Sequence, residues 1–118
     1  MGISKSLRAY KERGFQKALE EVRNYLKGLG LVKYKAILFG SYARGDFSEG
    51  SDIDLLIISD ELPEDLRARL DFLFLKRDLA PRVEPIGWTK REYELRKEAE
   101  DPFIELIESE GIVLWDNL

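Results

Sequence analysis

The sequence predicts an α/β domain in which a small β-sheet is packed by helices. Two observations carry this expectation. Short apolar runs, "KAILF" at 35–39 and "IDLLII" at 53–58, border Gly, Ser and Asp residues, as buried strands do. Around them lie longer segments whose apolar residues recur three and four apart, the period of a helix. A length of 118 residues suits one domain with a real but modest core.

The elements follow in order. Leu7, Tyr10, Gly14, Ala18, Val22, Tyr25 and Leu29 make one apolar face of a helix from about Ser6 to Leu29, and Gly28 and Gly30 mark its end. Lys35 to Phe39 is a buried strand closed by Gly40. Ser41 to Ser51 is rich in Gly and Ser, and "SYAR" can open a short helix with Ser41 near its start. Ile53 to Ile58 is a second strand. After "SDELPED", Pro63 suits the first turn of a helix. Leu66, Leu70, Leu73 and Phe74 give that helix an apolar face through about Asp78. Val83 to Ile86 is a short third strand, and Pro81 and Pro85 suggest an edge strand or an irregular one. Thr89 and Glu92 have the spacing of a capping box, opening a helix to about Glu100. Pro102 starts another helix, Phe103 to Glu110, ended by Gly111. "IVLW" is the last strand.

Composition narrows the chemistry. Apolar residues make up 44% and charged residues 36%, with a net charge of -4. Such a chain is globular and is not a nucleic-acid binder by overall electrostatics. The charge is uneven: Met1 to Lys35 holds nine Lys/Arg against three Asp/Glu, a net +6 that leaves -10 on the remainder. A basic leading helix of this kind is either a solvated face or a contact for phosphate, RNA or an acidic partner. There is no cysteine and no histidine. Thiolate and imidazole chemistry are excluded, so any catalysis rests on carboxylates, hydroxyls, Lys/Arg and bound ions. The N-terminus has no apolar run long enough for a signal or a membrane span, which makes the cytoplasm the expected location.

One stretch concentrates the chemistry. Asp52 and Asp54 lie two apart at the entry to an apolar strand. In a strand both would face one spot, and two close carboxylates ionise together at low cost only around a cation. Mg²⁺ suits such oxygen ligands, and the same acids can serve a two-ion site. Gly40 ends the preceding strand and lets a ligand approach the backbone. N–H groups of the following turn and the Ser41 hydroxyl can cradle an anion. Glu84, in the third strand, can reach the same metal or take a proton from an attacking hydroxyl. Read singly, each piece has a plain explanation. Ser-Asp-x-Asp also fits a capped turn, Gly-Ser after a strand is common, and a lone Glu is ordinarily a solvated edge residue. Tyr42, Tyr93, Trp88 and Trp115 are read as packing rather than as stacking surfaces for a base.

Taken together, "GSYARGDFSEGSDIDLLII" resembles the signature of the nucleotidyltransferase superfamily related to DNA polymerase beta. Ten residues separate Ser41 from Asp52, a spacing similar to that of the minimal nucleotidyltransferases, including MntA-type antitoxins of HEPN/MNT systems. The order of elements and the acid of "RVEPIGWT" agree along nearly the whole chain. The resemblance implies a small mixed β-sheet packed by helices, the palm-like nucleotidyltransferase fold. It implies a single minimal domain over 1–118, with a leading amphipathic helix at 1–30, a catalytic core at 36–88, and C-terminal helices and last strand at 89–118.

The resemblance also implies a reaction. ATP or another nucleoside triphosphate binds at Gly40, Ser41 and Arg44. Asp52, Asp54 and Glu84 are the catalytic and metal-binding acids, with Mg²⁺ as cofactor. Many relatives have Asp where this chain has Glu84. Arg44 either contacts phosphate or braces its loop. A chain this short has no further domains to hold an acceptor. In the group it resembles, the acceptor is a tyrosine of a separately encoded HEPN-domain protein, and AMP transfer silences it as an antitoxin of a type VII-like pair. The alternative is a binding module that neutralises a HEPN partner by contact alone. No membrane and no direct nucleic-acid contact is expected. An exposed sheet edge or the last helix is available to pair with a second copy or with the partner.

Overall fold

The computed structural model describes residues 2–78 and 80–118, with side chains from residue 7 onward. Met1 of the expected leading helix lies outside them. Nine elements follow one another along these residues: α1 (Gly2–Leu29), β1 (Lys35–Phe39), α2 (Ser41–Arg44), β2 (Ile53–Ile58), α3 (Leu66–Leu75), β3 (Val83–Trp88), α4 (Lys90–Glu98), α5 (Pro102–Glu110) and β4 (Ile112–Asp116). The strands form one mixed sheet in the order β3-β2-β1-β4. β1 runs antiparallel to both β2 and β4, and β2 runs parallel to β3. The parallel pair needs a crossover, and α3 supplies it.

Strand alternation divides the core into two layers. Ile53, Leu55 and Ile57 face one side with Ala36 and Leu38, where Ala18, Val22, Tyr25 and Leu29 of α1 and Leu73 of α3 cover them. Leu56 and Ile58 face the other with Ile37, Phe39 and Trp88, under Ile104 and Ile107 of α5 and Tyr93 of α4. Both strands expected at 35–39 and 53–58 form there, and the third lengthens to Trp88 at the predicted edge. Thr89 and Glu92 make the reciprocal capping box, and Pro102 opens α5 behind Asp101 as N-cap.

Three expectations change. The apolar face of α1 buries only its second half, because the helix overhangs the sheet and leaves Leu7 and Tyr10 exposed. Pro63 precedes α3 rather than opening it; Asp65 is the N-cap and accepts from Ala68 N–H. The stripe Leu66, Leu70 and Phe74 of α3 faces outward, while Leu73 and Arg69 are buried. Arg69 is held there because its guanidinium finds acceptors in the Pro63 and Gly87 carbonyls and in Glu92, so its burial leaves no charge unpaired. No helix among the described residues is long and apolar enough to cross a membrane.

Candidate active site

The site is assembled by register. In the antiparallel pair, Phe39 lies opposite Asp54; in the parallel pair, Asp54 lies opposite Glu84. The end of β1, the start of β2 and the start of β3 therefore share one end of the sheet. Asp54 and Glu84 project to the α5 side, in phase with Phe39, Leu56 and Ile86.

Gly40 follows β1 with φ 75° and ψ -153°, a region open in practice only to glycine. A Cβ there would lie 2.1 Å from Asp54 Oδ2. Glycine is thus required twice, for the backbone and for the acid packed against it. The chain then makes the single turn α2, with Arg44 N–H bonded to the Gly40 carbonyl and Gly45 N–H to the Ser41 carbonyl. Tyr42 is buried and stacks on Phe47 at 4.2 Å between centroids, which makes it a wall of the core, as expected. Ser48 and Ser51 close the next turn through Ser48 N–H to Ser51 Oγ at 2.9 Å. That turn delivers Asp52, exposed, to the mouth of the cleft holding Gly40, Ser41, Arg44 and Asp54.

Electrostatically the cleft is under tension. Burial pushes the Asp54 carboxyl above its ordinary pKa, and the charges of Asp52 and Glu84 push it further; Arg44 pulls the other way. Among the described residues, no three acidic side chains gather into a metal cage. Glu84 is instead engaged by Arg77 at 3.2 Å. Arg77 also donates to the Pro81 carbonyl at 2.5 Å, so the third acid is held at the edge of β3. Arg44 pairs with Asp46 at 3.1 Å and with Glu110 at 3.4 Å.

Two participants were not legible in the sequence. Arg77 has no periodic or motif signal. Glu110, the last residue of α5, takes the Gly40 N–H at 3.1 Å across 70 residues of chain. Nothing local announces either contact.

An open mixed sheet with a Gly-Ser turn, Asp52 and Asp54 at one end defines an α/β domain with a polar cleft at that end. A family model for the nucleotidyltransferase domain matches residues 19–114, and the chain belongs to that family. Among named relatives, "Putative protein adenylyltransferase MJ0604" of Methanocaldococcus jannaschii is 57% identical over 47 residues, 38% of this chain and 46% of that protein. "Putative protein adenylyltransferase MJ0141" of the same organism is 62% identical over 29 residues, 25% of this chain and 29% of that one. The matched stretch thus spans less than half of either relative. Among solved structures, a toxin-antitoxin crystallised with AMP-PNP superimposes with a TM-score of 0.58 at 20% identity, covering 83% of this chain and 73% of that chain. A protein described as a putative nucleotidyltransferase from Sulfolobus solfataricus gives 0.56 at 19% identity, covering 91% and 84%. These two likenesses are of fold.

Proposed function

We propose that this chain is a metal-dependent nucleotidyltransferase that moves AMP from ATP to a protein hydroxyl. Its acceptor is a tyrosine of a separately encoded HEPN-domain protein, which it silences in the cytoplasm as an antitoxin. The observation that carries this is the convergence of Gly40, Ser41, Asp52, Asp54 and Glu84 on one end of the sheet, with Asp54 in register between Phe39 and Glu84. The names of the relatives support a protein acceptor, and the AMP-PNP-bound toxin-antitoxin supports the nucleotide and the kind of partner.

The donor atoms fit a hard divalent cation. They are all carboxylate oxygens, in a chain without His or Cys, and burial together with the neighbouring charges of Asp52 and Glu84 disfavours the ionised form of Asp54 more than Arg44 favours it. Asp52 and Asp54 would hold Mg²⁺, with Glu84 as the adjacent acid. Bound there, the ion supplies positive charge where phosphate oxygens become more negative. The chain's own groups do the rest. Gly40, Ser41 and Arg44 receive the phosphates and line the α-phosphorus up with the acceptor. An oxygen–phosphorus bond forms from the acceptor hydroxyl, the bond from the α-phosphorus to the bridging oxygen breaks, and pyrophosphate leaves. Glu84 accepts the hydroxyl proton, and Arg77 keeps its carboxylate aimed.

A second reading is neutralisation of the partner by contact, without transfer. It is favoured by the engagement of Glu84 with Arg77 and of the Gly40 N–H with Glu110. Intact-mass measurement of the HEPN partner, before and after incubation with this chain and Mg-ATP, separates the two. Transfer adds AMP units, and Asp54→Asn abolishes the gain. A tight complex with no added mass supports contact alone.

A further inference from the structure

Glu110 lines the cleft, yet the proposed transfer gives it no task. It closes α5, and Gly111 behind it is pressed onto the sheet: a Cβ there would lie 2.4 Å from the Ile107 carbonyl oxygen and 2.7 Å from Ile37 Cγ2. This close approach fixes where the Glu110 side chain begins. Its carboxylate is 15% exposed. One oxygen accepts from Gly40 N–H at 3.1 Å, and the two oxygens lie 3.4 and 3.5 Å from Arg44 Nη1. These are groups that incoming phosphate oxygens need. A carboxylate and a phosphate make the same demand on an N–H and on a guanidinium, and both cannot use one N–H at once. Displaced, Glu110 remains in the cleft with Asp52 and Asp54, beside the arriving negative charge.

We propose that Glu110 is a specificity-determining residue, a resident carboxylate that competes with nucleotide phosphates for Gly40 and Arg44 and so favours the metal complex over the free anion. This rests on the nucleotidyltransferase reading. Free nucleotide meets Glu110, Asp52 and Asp54 in the cleft with no counter-charge of its own. The magnesium complex brings one. Removing the charge of Glu110 therefore helps free nucleotide more than it helps the complex.

The test is calorimetric binding of AMP-PNP to the full chain and to Glu110→Gln and Glu110→Ala, each in Mg²⁺ and in EDTA. The ratio of the Kd in EDTA to the Kd in Mg²⁺ is expected to shrink about tenfold in Glu110→Gln, and at least as much in Glu110→Ala. An unchanged or larger ratio, with wild type binding in Mg²⁺, overturns this inference alone. Melting curves report folding; if one variant fails to fold the other decides, and failure of both shows a structural role and overturns the inference. No binding to wild type in Mg²⁺ overturns the nucleotidyltransferase reading, and this inference with it.

Discussion

At the scale of single residues, Gly40 is the tightest point. Its backbone lies where only glycine is comfortable, and the space its missing side chain leaves is filled by Asp54. Gly40→Ala is expected to destabilise by roughly 2–4 kcal/mol, combining backbone strain with a displaced acid. Urea denaturation measures it. Asp54 behaves oppositely. Its pKa is raised by burial first and by Asp52, Glu84 and Glu110 next, against Arg44. The folded state therefore holds the proton more firmly than the unfolded chain, and stability is lost as pH rises through the folded pKa. Without divalent metal, Asp54→Asn is expected to melt higher than wild type at neutral pH. The gap closes in acid, below the ordinary carboxylate range, and a series of melting curves from pH 3 to 8 (about 3 to 8 suffices) follows it.

At the scale of elements, α4 depends on one acid. Glu92 accepts from Thr89 N–H at 2.7 Å and from Arg69 Nη1 at 2.7 Å. Burial raises its pKa, but these hydrogen bonds outweigh that, and the net shift is downward. Its contribution is present above the ordinary carboxylate pKa and is lost as pH falls through the lowered one. Glu92→Ala is expected to cost about 1–2 kcal/mol at neutral pH, a figure discounted for partial exposure. The difference from wild type narrows in acid. Thermal unfolding of both chains at pH 7 and pH 3 (about one unit below an ordinary Glu) checks it.

The same element marks where sequence reading succeeds and where it stops. The capping box was legible because its partners are three residues apart. The strands at 35–39 and 53–58 were legible because continuous apolar runs announce two-sided burial. Asp52 and Asp54 could be nominated as acids of the candidate site because they share a local motif, and both line one cleft. The buried side of α3 was not. Its periodicity nominates Leu66, Leu70, Leu73 and Phe74, of which Leu73 is buried and the other three face outward, while Arg69 is buried because of acceptors at Pro63, Gly87 and Glu92. Glu110 was missed for the same reason: its partner is 70 residues away. Periodicity reports the polarity of one helix, not the polar partners waiting on another element.

At the scale of the whole molecule, stability concentrates in the central strands. Leu55 is fully buried in the middle of β2, while Val113 on β4 is half exposed at the sheet edge. Leu55→Ala is expected to cost roughly 3 kcal/mol, and Val113→Lys no more than about 0.5 kcal/mol. Chemical denaturation of the two variants under one set of conditions tests this gradient. The extents of 51 × 33 × 23 Å have a simple origin. A helix of 28 residues is about 42 Å long, more than four short strands can cover, so its first half projects beyond the sheet.

The strand order carries one more consequence, for synthesis. β4 pairs with β1, yet it is translated more than 70 residues later. Until then β1 has a partner on one side only, and Glu110 has just emerged. On the ribosome the Asp pair and the Gly-Ser turn can meet early, across the short β1–β2 connection, while the far edge waits for a contact of long sequence separation, the slow kind to form. A nascent chain paused before residue 110 would already own the acids and the glycine turn, but not the carboxylate that occupies them.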